Sequence, residues 1–146
     1  MVDKSYGGFL IGKIKQIQGR VFEKMLIENG ISEFNGAQGR ILFVLWQKDD
    51  IPISSLSKET GLAKTTLTSM LDRMEKSGHI QRVYSPSDRR IVKICLTEKA
   101  RNLKDRYNKV SMEMTEAFYK GFRDEEIIAF ESYLSKILEN LTKMEE

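Results

Sequence analysis

Between Phe9 and Met25 the apolar residues Leu10, Ile14, Ile17, Val21 and Met25 recur at steps of three and four, with polar and charged residues between them. That spacing lines one side of a helix with apolar groups and predicts an amphipathic helix. Asn29-Gly30 should end it, since both residues tolerate the left-handed conformation of a helix C-terminus. A second helix is expected after Asn35, a good N-cap, carrying Ile41, Leu42, Leu45 and Trp46. Gly36 and Gly39 weaken its first turn, and Lys48-Asp49-Asp50 closes it as a polar loop.

The pattern then shortens. A helix is expected from about Ser54, as its cap, to Thr60, with Gly61 as the turn. Another should follow from about Lys64 to Ser77, with Leu67, Met70, Leu71 and Met74 on one face and Gly78 at its end. His79 to Tyr84 and Arg90 to Leu96 read as two strands around the turn Ser85-Pro86-Ser87-Asp88-Arg89, with Val92, Ile94 and Leu96 sharing one face. Thr97 is placed to cap a long helix through Leu103, Tyr107, Val110, Met114 and Ala117, ending at Gly121. Asp124 is placed to cap a last helix through Ile127, Phe130, Leu134, Ile137, Leu138 and Leu141. The expected class is mainly α with a small β wing.

The helices around Gly61 fit a helix-turn-helix whose second helix is left clear to enter a major groove. Centring its wheel on Leu67 and Met74 points Thr65, Ser69, Asp72 and Lys76 away from the core, with Thr66, Thr68 and Arg73 on the flanks. Short hydroxyls can approach base edges or phosphates, and Arg73 and Lys76 suit phosphate or guanine. A polar helix face alone is most simply a solvated face. The strand-turn-strand that follows, with Asp88, Arg89 and Arg90 at its tip, makes the pair a winged helix, and a wing-tip arginine can enter a minor groove.

Charge supports this. The 146 residues carry a net charge of +3, yet Ile53 to Leu96 alone hold eight basic side chains against four acidic ones, so the positive excess is central. One cysteine, Cys95, excludes an internal disulfide and fits a reducing, cytoplasmic setting. No apolar run approaches the roughly 20 residues that span a bilayer, so no membrane association is expected. Nucleotide-binding glycine patterns and clustered metal ligands are absent from the sequence, which predicts a non-enzyme without cofactor or metal. A lone His79 reads as structural.

The segment Asp88-Arg89-Arg90-Ile91-Val92-Lys93-Ile94-Cys95-Leu96-Thr97 resembles the D-x-R-x-x-x-x-x-L-T wing signature of the multiple antibiotic resistance regulator (MarR) family. Leu71 to Arg82 resembles that family's recognition-helix end and first wing strand, and Asn35-Gly36-Ala37-Gln38 with Ile41 and Leu42 the start of its second helix. The resemblance implies a single domain over 1–146, with dimerisation helices at 1–34 and 98–146 and a winged-helix DNA-binding lobe at 35–97. It further implies a homodimer on double-stranded DNA with a pseudo-palindromic operator, acting as a repressor released by a small aromatic or phenolic effector. Lys64, Thr65, Thr66, Thr68, Ser69 and Arg73 would address the major groove, and Arg82, Asp88, Arg89 and Arg90 would build and use the wing.

In that reading Arg90 is the minor-groove arginine, and Asp88 orients the wing by pairing with Arg82 or Arg73. An effector pocket would lie between dimer helices and lobe; Trp46 is an aromatic able to border it, and no pocket residue is assigned. Ala63 stands where the family often has a serine cap, and Ser57 and Thr60 are more polar than usual for the motif's interior. Redox-sensing relatives carry their cysteine near the N-terminus, so Cys95 reads as inert. The competing function is a winged-helix protein-interaction module without specific DNA binding.

Overall fold

The computed structural model describes residues 3, 5–32 and 36–146, which divide into two compact units, Met1–Ser111 and Met112–Glu146. The first holds helices α1 (Gly7–Glu28) and α2 (Gly36–Gln47), strand β1 (Ile51–Pro52), helices α3 (Ile53–Thr60) and α4 (Lys64–Lys76), and strands β2 (Ile80–Tyr84) and β3 (Val92–Leu96). It closes with α5 (Glu98–Asn102) and the first half of α6 (Lys104–Phe118). The second unit holds the rest of α6 and α7 (Asp124–Glu145). The class is therefore the expected one, mainly α with a small sheet.

Helix α1 ends as its sequence predicts: the Asn29 side chain donates to the Met25 carbonyl at 2.8 Å, and Gly30 takes a φ of 77°. The Asn35 cap expected for α2 lies outside the described residues. Gly39 has a specific role in that helix, because a Cβ there would sit 2.6 Å from the Tyr107 hydroxyl. Ile41, Leu42 and Leu45 of α2, Leu56 of α3, Leu67 and Leu71 of α4, Ile80 of β2 and Ile94 of β3 are buried together as one core. Burying each such side chain is worth about 1.5–3 kcal/mol, so the small lobe is held by this cluster.

Helix α3 does not start at a Ser54 cap. Pro52 is its N-cap, in extended conformation and without a side-chain cap bond. The reason is β1, a strand that the apolar pattern did not signal: Pro52 pairs with Lys93 and passes directly into the helix, leaving no loop for a capping serine. Proline is tolerated there because β1 is an edge strand. Gly61 closes α3 in the left-handed region at φ 72°, as the turn required. The polar interior of the motif is satisfied within it: buried Thr60 donates from Oγ1 to the Leu56 carbonyl at 2.7 Å, and Ser57 donates from Oγ to the Leu62 carbonyl at 2.9 Å.

The sheet is antiparallel in the order β1-β3-β2, with Ile80 opposite Leu96 and Tyr84 opposite Val92. Strand β3 begins at Val92, so Arg90 and Ile91 belong to the wing-tip loop and not to a strand; the Ser85 N–H donates to the Ile91 carbonyl at 3.0 Å and closes that loop. At the other end of β3 the Asp49 carboxylate accepts from the Leu96 N–H at 2.9 Å. The acids of the expected polar loop thus anchor the sheet.

Thr97 caps α5, accepting from the Ala100 N–H at 3.3 Å. The single long helix expected beyond it is divided at Leu103. Ala100 explains the division: its carbonyl accepts the Trp46 indole N–H at 3.0 Å and the Leu103 N–H at 3.2 Å, tightening the helix at that point. Trp46 also lies 5.0 Å, ring to ring, from Tyr107, so it is a structural anchor of the core.

In the second unit Tyr119 packs edge-on against Phe118, Phe122 and Phe130, and its hydroxyl donates to Glu131 at 3.1 Å. Helix α7 is capped one residue earlier than expected, at Arg123, whose N–H is taken by the Glu126 carboxylate at 2.9 Å. Asp124 is instead the first helical residue, where its charge suits the positive end of the helix dipole. No residue of α7 is buried.

Candidate nucleic-acid interface

Helix α4 is the candidate reading element. Leu67, Leu71 and Met74 fix one side of it in the core, so Lys64, Thr65, Thr66, Thr68, Ser69 and Arg73 are all exposed. Its N-terminus is uncapped: Ala63 contributes no side-chain bond, the first turn carries no acid, and Lys64 stands there instead. A cation beside unsatisfied N–H groups at the positive end of a dipole is unfavourable for an isolated helix. It becomes favourable when a phosphate arrives. Thr68 turns its hydroxyl back to the Lys64 carbonyl at 2.8 Å, which fixes the rotamer beneath the outward face.

The wing supplies the second element. Asp88 does not pair with Arg82 or Arg73; it holds Arg90, two residues away, through Oδ1 to Nε at 3.0 Å and Oδ2 to Nη2 at 3.1 Å. Asp88 also accepts from the Arg90 backbone N–H at 3.0 Å. These bonds to Arg90, the side-chain one first, hold the Asp88 carboxyl below its ordinary range. The turn brings Arg90 back over Asp88 before β3 begins, which places it closer than any arginine of β2 or α4. The Arg90 side chain remains 91% exposed, and Arg89 beside it is exposed as well.

Arg82 is occupied elsewhere. Its Nη2 lies 2.7 Å from Asp72 and its Nη1 2.9 Å from Glu75, both on α4. Its side chain is only 16% exposed, so it builds the base of the wing and does not project from it. Sequence reasoning missed Glu75 altogether. The available signal was a pair of acids three apart on α4, with an arginine on the following strand.

The remaining candidates are structural. The Cys95 thiol lies 3.2 Å from Asp50, and burial, then the Asp50 carboxylate, push its pKa up to about 11. His79 is buried with Nδ1 2.7 Å from the Ser77 hydroxyl. Among the described residues, no cluster of His, Cys, Asp or Glu is arranged to hold a metal ion. No helix there is long and apolar enough to cross a membrane. A cleft of about 830 Å³ lies between α2 and α3, with Phe43, Val44 and Ile51 along it and Arg40, Lys48 and Lys58 around it.

The MarR family model matches residues 34–92, the segment that contains both helix α4 and the wing tip. The chain is 34% identical over 93 residues to the HTH-type transcriptional regulator YsmB of Bacillus subtilis, covering 64% of this chain and 64% of that protein, so it spans just under two thirds of that relative. It is 31% identical over 109 residues to the HTH-type transcriptional regulator YfiV of the same organism, covering 73% of this chain and 68% of that protein. Among solved structures, a mutant MarR from E. coli complexed with operator DNA superposes with a TM-score of 0.79 at 25% identity, over 90% of this chain and 92% of that one. With the reading lobe matched by the family's model and a relative matched over more than two thirds of its length, the chain belongs to the MarR family.

Proposed function

We propose that this protein is a sequence-specific DNA-binding transcriptional regulator, acting in the cytoplasm as a homodimeric repressor on a pseudo-palindromic operator. The observation that carries this reading is the pairing, on one lobe, of an uncapped reading helix headed by Lys64 with a wing whose Arg90 is fully presented yet held in place by Asp88. Lys64, Thr65, Thr66, Thr68, Ser69 and Arg73 address the major groove, and Arg89 and Arg90 the minor groove. The operator complex of the E. coli neighbour supports the choice of DNA over a protein partner for this surface.

The dimer is part of the same proposal. Helix α1 leaves Leu10, Ile14, Ile17 and Val21 exposed along one stripe, and α7 leaves Ile128, Ile137, Leu138 and Leu141 exposed. Stripes of this size on long helices are most simply covered by a second copy, and two reading helices select half-sites about one helical turn apart. Release by a small aromatic or phenolic effector completes the reading. The test is selection of bound sequences from a random duplex library, followed by titration of the recovered duplex at several salt concentrations with and without phenolic compounds. A recovered palindrome with steep salt dependence is the expected result; no enrichment, or binding indifferent to salt, ends the proposal.

A further inference from the structure

Helix α4 carries two acids, Asp72 and Glu75, and both are bound by one arginine from the wing. Arg82 reaches back from β2 with Nη2 on Asp72 at 2.7 Å and Nη1 on Glu75 at 2.9 Å, while its backbone N–H donates to the other oxygen of Glu75 at 3.1 Å. Nη2 also lies 3.5 Å from the Thr68 carbonyl. Thr68, Asp72 and Glu75 are spaced by four and three residues, so they form one stripe along α4 and the guanidinium lies over it. The carboxylates are the exposed partners, at 58% and 43%, and the arginine the covered one, at 16%. A cation meant for a phosphate would show the opposite distribution.

We infer that Arg82 is a positioning residue that acts on DNA binding through Asp72 and Glu75: it offsets the charge of the two carboxylates of the reading helix and fixes the base of the wing to that helix. The inference rests on the DNA-binding reading above. Without Arg82, two uncompensated negative charges would stand on the helix that must approach a polyanion, and they would also repel each other. With it, the triad carries a single negative charge beside Arg73 and Lys76. The Glu75 bond to the Arg82 backbone adds a mechanical consequence, since β2 cannot move away from α4 without losing it.

The test compares four proteins on the duplex recovered by selection: wild type, Arg82→Ala, Asp72→Asn with Glu75→Gln, and all three substitutions together. At about 50 mM salt, Arg82→Ala should bind roughly 10- to 100-fold more weakly. Adding Asp72→Asn and Glu75→Gln should restore affinity to within about fivefold of wild type, because the repelling charges are gone. The recovery should shrink near 200 mM, where screening already weakens the repulsion, a dependence that a purely structural role would not show. Should Arg82→Ala fail to fold by circular dichroism, the Asp72→Asn, Glu75→Gln pair decides: its amides still accept from Arg82, so it should bind about 3- to 10-fold more tightly than wild type. A triple variant as weak as Arg82→Ala, or an amide pair no tighter than wild type, overturns the inference. A wild-type protein that binds no duplex defeats the DNA-binding reading itself.

Discussion

The Asp88 carboxylate grips the Arg90 guanidinium side-on, Oδ1 to Nε at 3.0 Å and Oδ2 to Nη2 at 3.1 Å, across a gap of two residues in the sequence. A guanidinium has five N–H donors, and this grip uses only two. The rest point from a side chain that is almost entirely exposed, so the pair sets the direction of the arginine without consuming it.

Arg90→Ala should therefore weaken operator binding by about 1–3 kcal/mol while leaving the helical circular dichroism signal unchanged. Asp88→Asn should cost less, because the asparagine oxygen still accepts from the arginine. Equal affinity of Arg90→Ala and wild type would remove the wing from the interface.

The same pair has a defined pH dependence. Because Arg90 holds the Asp88 carboxyl below its ordinary 3.8, its contribution is fully present above that value and lost only as pH falls through the lowered one. Operator affinity from about pH 5 upward should then show no titration that Asp88→Asn abolishes. Such a titration, seen by fluorescence anisotropy, would contradict the geometry.

Gly39 faces Tyr107 so closely that an added Cβ would lie 2.6 Å from the hydroxyl and 3.1 Å from Cε2. Gly39→Ala should destabilise the protein by about 1–3 kcal/mol in urea unfolding. Tyr107→Leu in the same chain should recover part of that loss. Additive costs in the double variant would mean that the clash is not the cause.

Cys95 should behave as an inert thiol. With its pKa pushed up to about 11, the neutral form is favoured in the folded state, a stabilisation present at neutral pH and lost as pH rises through that value. Alkylation by iodoacetamide at pH 8 should run at least tenfold slower than for free cysteine, by roughly the ratio of thiolate fractions. A fast reaction would reopen a redox role.

The end helices carry the proposed dimer. Ile17→Glu in α1 or Leu138→Glu in α7 should convert a dimer to a monomer in sedimentation velocity at micromolar concentration, since each places a charge on an exposed apolar stripe. A wild-type protein already monomeric there would refute the dimer.

Periodicity alone determined a great deal: the helix repeats of α1, α4 and α7, the Gly61 turn, and the alternation of Val92, Ile94 and Leu96 that marks β3 as half-buried. Those are local rules, set by 3.6- and 2-residue spacing and by the few residues that tolerate a left-handed turn. Which partner each polar group takes was not legible, because it depends on atoms distant along the chain. The two-residue strand β1 has no period to read and exists because β3 lies beside it. The break at Leu103 depends on an indole 54 positions before Ala100. Arg82 and Arg90 look alike as basic residues of a wing, and only the folded chain decided that one is spent on Asp72 and Glu75 while the other is presented to solvent. Composition distributes charge along a sequence; tertiary packing decides which charges neutralise one another and which remain to meet a ligand.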